Sequence, residues 1–152
     1  MSRSRSLARR RAVQALYVWQ MTEQDLADID EQFVIEQDMK NVDLDYFKEL
    51  LHKVPANLTA IDEKLEPVLD RPFAEIDPIE KAVMRIGVYE LEYRIDIPYK
   101  VVINEAVQLA KTFGADQSHK YVNGILDNIA KNSRAEEIAF KAKQTKTKAT
   151  PK

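Results

Sequence analysis

The sequence predicts an all-α protein of about seven helices, arranged as two small helical bundles packed together. Three observations predict it. Apolar residues recur at three- and four-residue spacing along most of the chain, and no segment sustains the strict alternation of a half-buried strand. Only 3 glycines and 6 prolines occur in 152 residues, too few for an all-β fold rich in tight turns. Hydrophobic residues make up 45%, enough for a core beside 32% charged residues of nearly balanced sign.

The first helix is expected over residues 4–21, with Ala8, Ala12, Ala15, Leu16 and Trp19 on one face. A second runs near Asp25–Glu36 and buries Leu26, Ile29 and Phe33, with Val34 a further candidate for the core. Asp43 can cap a third, Leu44–Leu58, which buries Phe47, Leu50, Leu51 and Val54. Pro55 should kink that helix or end it at the preceding turn. A fourth spans Thr59–Leu69. The connector Asp70–Asp77, with Pro72 inside it, is the expected joint between the halves, residues 1–70 and 71–140.

Asp77-Pro78-Ile79-Glu80 is a helix start: Asp77 caps, Pro78 fits the first position, and Glu80 can reach back to the cap amide. The helix that follows, to about Arg94, is apolar nearly all round and should be the central strut. The next, Val101–Phe113, stops at Gly114. The last strong helix starts near Asp116 or Ser118 and buries Val122, Ile125, Leu126 and Ile129. Residues 134–143 form a weaker extension. The Lys/Thr/Ala stretch 141–152 is expected to be a disordered basic tail.

Composition excludes several chemistries. With no cysteine there are no disulfides, thiolate metal sites or cysteine nucleophiles. No apolar run approaches the roughly 18–20 residues of a membrane span, and the arginines at the start precede no apolar signal core. A cytoplasmic location is expected, with no membrane partner. His52 and His119 are the only histidines, and no zinc, phosphate-loop, dinucleotide or nucleophile-elbow motif occurs. No catalytic residue, metal or cofactor is therefore expected, and the chain reads as a non-enzyme. Glu90 falls near the apolar stripe of its helix. It reads as half of a structural ion pair, with Arg94 or an arginine from another helix, rather than as a general base.

Charge is unevenly placed. Residues 1–22 hold five arginines and no acid, and residues 131–152 hold seven Lys/Arg and two Glu. Each end carries a net +5, leaving −12 on the body of a chain whose total is −2. A basic end on an acidic body suggests a polyanionic partner. Opposite the apolar face of the first helix lie Arg3, Arg10, Gln14 and Tyr17, a basic stripe with an aromatic ring. Such a stripe suits phosphates and unstacked bases of single-stranded RNA. The alternative is that Tyr17 packs beneath another helix while the arginines pair with the acidic body. A second candidate surface is the flank of the last helix carrying Gln117, Tyr121, Gly124 and Asn128. There Gly124 either leaves room for a partner or is packed by a neighbouring helix.

Four blocks, in order, then carry a resemblance. They are Ala12-Val13-Gln14-Ala15-Leu16-Tyr17 after the arginine-rich start, and Glu80-Lys81-Ala82-Val83-Met84-Arg85-Ile86 leading to Tyr89-Glu90-Leu91. Ile97-Pro98-Tyr99-Lys100-Val101-Val102-Ile103-Asn104-Glu105-Ala106 follows, then Ser118-His119-Lys120-Tyr121-Val122-Asn123-Gly124-Ile125-Leu126-Asp127. Over residues 5–131 the chain resembles the NusB family of bacterial transcription antitermination factors. The resemblance implies two small helical bundles and no catalysis. It implies binding to the single-stranded boxA RNA of ribosomal RNA leader transcripts together with NusE, a small-subunit ribosomal protein. The pair would act within an RNA polymerase antitermination complex and in rRNA maturation.

By position, the resemblance puts Arg5 and Arg9 on RNA with Arg3 and Arg10 as helpers, and makes Tyr17 an RNA contact. It places Glu80, Gln117 and Tyr121 at the RNA and partner region. Gln14 and Lys120 complete the expected RNA-binding set, in which Tyr121 also counts. The chain departs from the family at Ser6 and Leu7, which interrupt the basic block, at Tyr121 in place of phenylalanine, and at Gln117 in place of an acid. The alternative function is a helical protein–protein adaptor without intrinsic RNA specificity.

Overall fold

Helices and short turns account for all regular structure among the described residues, 3–149, of this computed structural model. In order they are α1 (Arg3–Thr22), α2 (Leu26–Glu36), α3 (Leu44–Ala56), α4 (Leu58–Leu65), α5 (Pro78–Tyr93), α6 (Tyr99–Phe113), α7 (Ser118–Ser133) and α8 (Ala135–Ala149). Single 3-10 turns, Glu66–Val68 and Phe73–Glu75, bridge α4 to α5.

Aspartates cap three helix starts, at Asp43 and Asp77 as the sequence predicts and also at Asp25. Asp25 accepts from the Ala27 amide at 2.8 Å, Asp43 from Tyr46 at 3.0 Å, and Asp77 from Ile79 and Glu80 at 2.8 and 3.2 Å. Two local expectations need correction. The helix α3 runs one residue past Pro55, because so near the end the missing N–H removes only one bond of the last turn. Glu80 does not close a capping box; its carboxylate accepts from Ser118 Oγ at 2.6 Å.

The strut α5 is buried at every position from Ala82 to Leu91. It touches α1, α3, α4, α6 and α7, and one apolar core runs continuously from Ala8, Ala12 and Leu16 of α1 to Val122 and Leu126 of α7. Gly87 lets α7 come close: a Cβ there would stand 2.6 Å from a Leu126 methyl.

The stretch from Lys141, expected as a disordered tail, continues α8 as far as Ala149. Ala and Lys are good helix formers, and Glu136 and Glu137 sit in the first turn, where the helix dipole favours acids. Residues 150–152 of the expected tail lie outside the described residues. Just before α8, the Arg134 guanidinium donates to the carbonyls of Leu91, Glu90 and Arg94 at 2.8, 3.2 and 3.0 Å. One turn on, Glu137 accepts from the Tyr99 amide at 2.9 Å and pairs with Arg134 at 2.6 Å.

Candidate nucleic-acid interface

The arginine-rich start of α1 divides by helical phase into a buried and an open part. Arg9 faces inward with Ala8, Ala12 and Leu16. Its guanidinium lies 2.8 Å from Glu90 of α5 and 2.8 Å from Glu105 of α6. The Tyr46 hydroxyl donates to the same Glu90, and the ring of Tyr46 lies near the guanidiniums of Arg5, Arg9 and Arg94, at 4.6, 5.3 and 5.1 Å. Burial alone would lower the Arg9 pKa, but Glu90, Tyr46 and Glu105 hold it above the ordinary value. Burial and the neighbouring Glu90 push the Tyr46 phenol up. The expectation that Arg9 lies on RNA is therefore corrected. Its charge is needed inside, and Glu90 is the structural ion-pair half that its apolar surroundings suggested, with an arginine from another helix. Ser6, one of the departures in the basic block, donates to Glu105 in the same network.

Arg5 is partly exposed, 3.9 Å from Asp43 and over the Tyr46 ring. Arg3 and Arg10 are exposed, Gln14 is half-buried, and all three line one cleft of about 430 Å³. Its other walls come from residues distant in sequence: Asp38, Lys40, Asn41 and Val42 of the α2–α3 loop and Thr112 and Phe113 at the end of α6. Tyr17 lies one turn beyond Gln14 and is 37% exposed. One turn further, Gln20 donates to the Pro78 carbonyl at 2.8 Å, which joins the end of α1 to the α5 start that carries Glu80.

At that junction Glu80 holds Ser118, the first residue of α7. Gln117 precedes it in the left-handed region, φ 70°, and is exposed. Tyr121 is half-buried; its hydroxyl donates to Asp70 at 3.0 Å, and Arg71 lies 4.9 Å over its ring. Burial and the Asp70 bond raise the Tyr121 pKa, while Arg71, then Tyr121, hold the Asp70 carboxyl below its usual range. The structure thus brings Glu80, Gln117 and Tyr121 to one corner. Lys120 is exposed beside them. Gly124 faces open space, with nothing within 4 Å of where its Cβ would stand. Packing of a neighbouring helix against it is excluded among the described residues.

Lys40, Asn41, Arg11 and Thr112 were not singled out by the sequence. The available signal was weak: Asn41 is a residue type tolerant of the left-handed backbone it adopts, φ 64°. Among the described residues no cluster of acids and histidines could hold a metal, and no helix is long and apolar enough to cross a membrane.

Comparison with known proteins fits this arrangement. The family model described as the NusB family matches residues 6–131. A Marinomonas sp. protein named Transcription antitermination protein NusB is 54% identical over 147 residues, covering 95% of this chain and 84% of the relative. An Idiomarina loihiensis protein of the same name is 53% identical over 131 residues, covering 86% and 94%. Among solved structures, T. maritima NusB superposes with a TM-score of 0.73 at 29% identity, over 87% of this chain and 94% of that one. NusB in a crystal structure with NusE and double-stranded RNA gives 0.78 at 29% identity, over 86% and 98%. With the match running from the basic start of α1 to the end of α7, the chain belongs to the NusB family.

Proposed function

We propose that this protein is an RNA-binding transcription antitermination factor. It takes the boxA segment of rRNA leader transcripts as single-stranded RNA, in a heterodimer with NusE. In the cytoplasm it helps RNA polymerase read through terminators and aids rRNA maturation. The observation that carries this reading is the likeness, over nearly all of the other chain, to a NusB crystallised with NusE and RNA. The open side of α1 supports it chemically. Arg3 and Arg10 supply phosphate attraction, with Arg5 at the margin, and Gln14 and Tyr17 supply a donor and a ring for unstacked bases. The Glu80–Ser118 corner, with Gln117, Lys120 and Tyr121, is the proposed meeting place of RNA and NusE. The acidic body complements a basic ribosomal protein. The protein acts by binding rather than by catalysis.

The test is a band-shift titration with a short single-stranded RNA containing a boxA-like element, with and without NusE, against a duplex of equal length. NusE should bind the protein alone, and RNA should tighten that complex. NusE binding with no preference for the boxA strand would favour the protein-only adaptor instead.

A further inference from the structure

The nine arginines divide by partner. Arg5, Arg9, Arg71, Arg85, Arg94 and Arg134 each lie within ion-pair distance of a carboxylate. Among the described residues Arg3, Arg10 and Arg11 do not, and all three line the cleft between α1, the α2–α3 loop and the end of α6. Lys40 lines it too and likewise has no carboxylate at that distance. The one acid in the cleft, Asp38, offsets one of these four charges and leaves a net +3. Its carboxylate accepts from the Lys40 amide at 3.0 Å, and it is its backbone carbonyl that takes the Arg11 guanidinium, at 3.2 and 3.1 Å. A neutral acceptor thus fixes Arg11 without removing its charge. The loop itself is pinned, with the Val42 amide on the Met39 carbonyl at 3.1 Å and the Asp43 amide on the Ser4 carbonyl at 3.0 Å. Leu7, Val42 and Phe113 give the cleft an apolar side.

Four cations against one carboxylate in one concave place leave a net positive charge that an entering anion relieves. A cleft of about 430 Å³ with both a cationic and an apolar side has the size and chemistry for one nucleotide. We infer that it seats a nucleotide of the bound RNA. The phosphate lies among Arg3, Arg10 and Lys40, and the base lies against Leu7, Val42 and Phe113. The α2–α3 loop is then the second wall of the RNA path, and Lys40 is an RNA-binding residue. This rests on the RNA-binding reading above and extends it to residues outside α1.

The experiment uses the full chain with NusE and a fluorescent boxA-like single strand, titrated at several salt concentrations. Releasing about 0.7 counterion per phosphate contact, loss of the single contact in Lys40→Glu should flatten the log K–log salt slope by about 0.7. It should weaken binding about 5-fold at 0.1 M salt. Lys53→Glu, on the far end of α3 and about 14 Å of helix rise from Leu44, lies beyond the Debye length and should bind as wild type. Thr112→Trp, which fills the cleft without changing charge, should weaken binding with the slope preserved. Wild-type affinity in both Lys40→Glu and Thr112→Trp would overturn the cleft assignment and leave the RNA-binding reading standing. A wild-type protein that fails to bind RNA would overturn both. Loss of NusE binding with RNA affinity unchanged would assign the cleft to a protein.

Discussion

The guanidinium of Arg9 and the carboxylate of Glu90 meet 2.8 Å apart with 1% of each side chain exposed, across 81 residues of sequence. Removing one partner strands the other charge away from water. Arg9→Ala should therefore cost about 3–5 kcal/mol in urea unfolding, the range for breaking a buried pair. The double change Arg9→Met with Glu90→Leu should recover only part of that loss, because it leaves the buried Tyr46 hydroxyl and Glu105 without their partners. Any RNA defect of Arg9→Ala should follow its loss of helicity.

Asp30 predicts the response to acid. Burial pushes its carboxyl up, but hydrogen bonds from Lys48 at 2.6 Å and His52 at 2.7 Å outweigh this and hold it below the ordinary carboxylate range. A depressed carboxyl stabilises the fold above its unfolded value, about 3.9, and that contribution is lost as pH falls through the folded value. The urea midpoint should drop as pH is lowered below about 4. Asp30→Asn should lower the midpoint at neutral pH and make its acid dependence shallower.

Two glycines should respond in opposite directions. Gly87→Ala drives a methyl into Leu126, which is fully buried, and should cost about 1–3 kcal/mol by overpacking. Gly124→Ala meets open space on an exposed helical surface and should gain up to about 1 kcal/mol from helix propensity. If a partner approaches at Gly124, the same variant should bind NusE more weakly while melting higher.

On α1, Arg3→Ala with Arg10→Ala should flatten the salt slope for single-stranded RNA by about 1.4 and weaken all sequences alike. Tyr17→Ala should cost about 1–3 kcal/mol of RNA affinity with the slope unchanged. A folded Tyr17→Ala protein with wild-type affinity would show that this ring does not stack on RNA.

Glu80→Lys should weaken the complex with NusE and RNA while circular dichroism stays helical. Glu80→Gln, which can still accept from Ser118, separates the charge from the bond. A Lys variant that assembles like wild type would displace the partner surface from this corner.

The fold was legible wherever periodicity alone decided it. The apolar residues around α5 announced a buried strut, and Asp43 and Asp77 announced two helix starts. Arg9 was placed on RNA by the family resemblance of the arginine-rich start, although its helical phase, shared with Ala12 and Leu16, pointed inward. Glu90 on an apolar stripe was its counterpart, and two buried charges of opposite sign call for each other. The far wall of the basic cleft was not legible. Lys40 reaches it only because the tertiary fold carries a loop from beyond α2 back against the start of α1, a contact that no local pattern encodes.

Arg134 and Glu137 alter how the boundary of the family match should be understood. The match stops at Lys131, three residues before the guanidinium that covers the carbonyls of Glu90, Leu91 and Arg94. One short segment sets a cation at the negative pole of α5 and an anion at the positive pole of α6. The 94–98 bend is thus clasped at both of its shoulders. Expression boundaries drawn at Lys131 would unclasp it, whereas a cut after Lys141 would spare the clasp and shed only the outer turns.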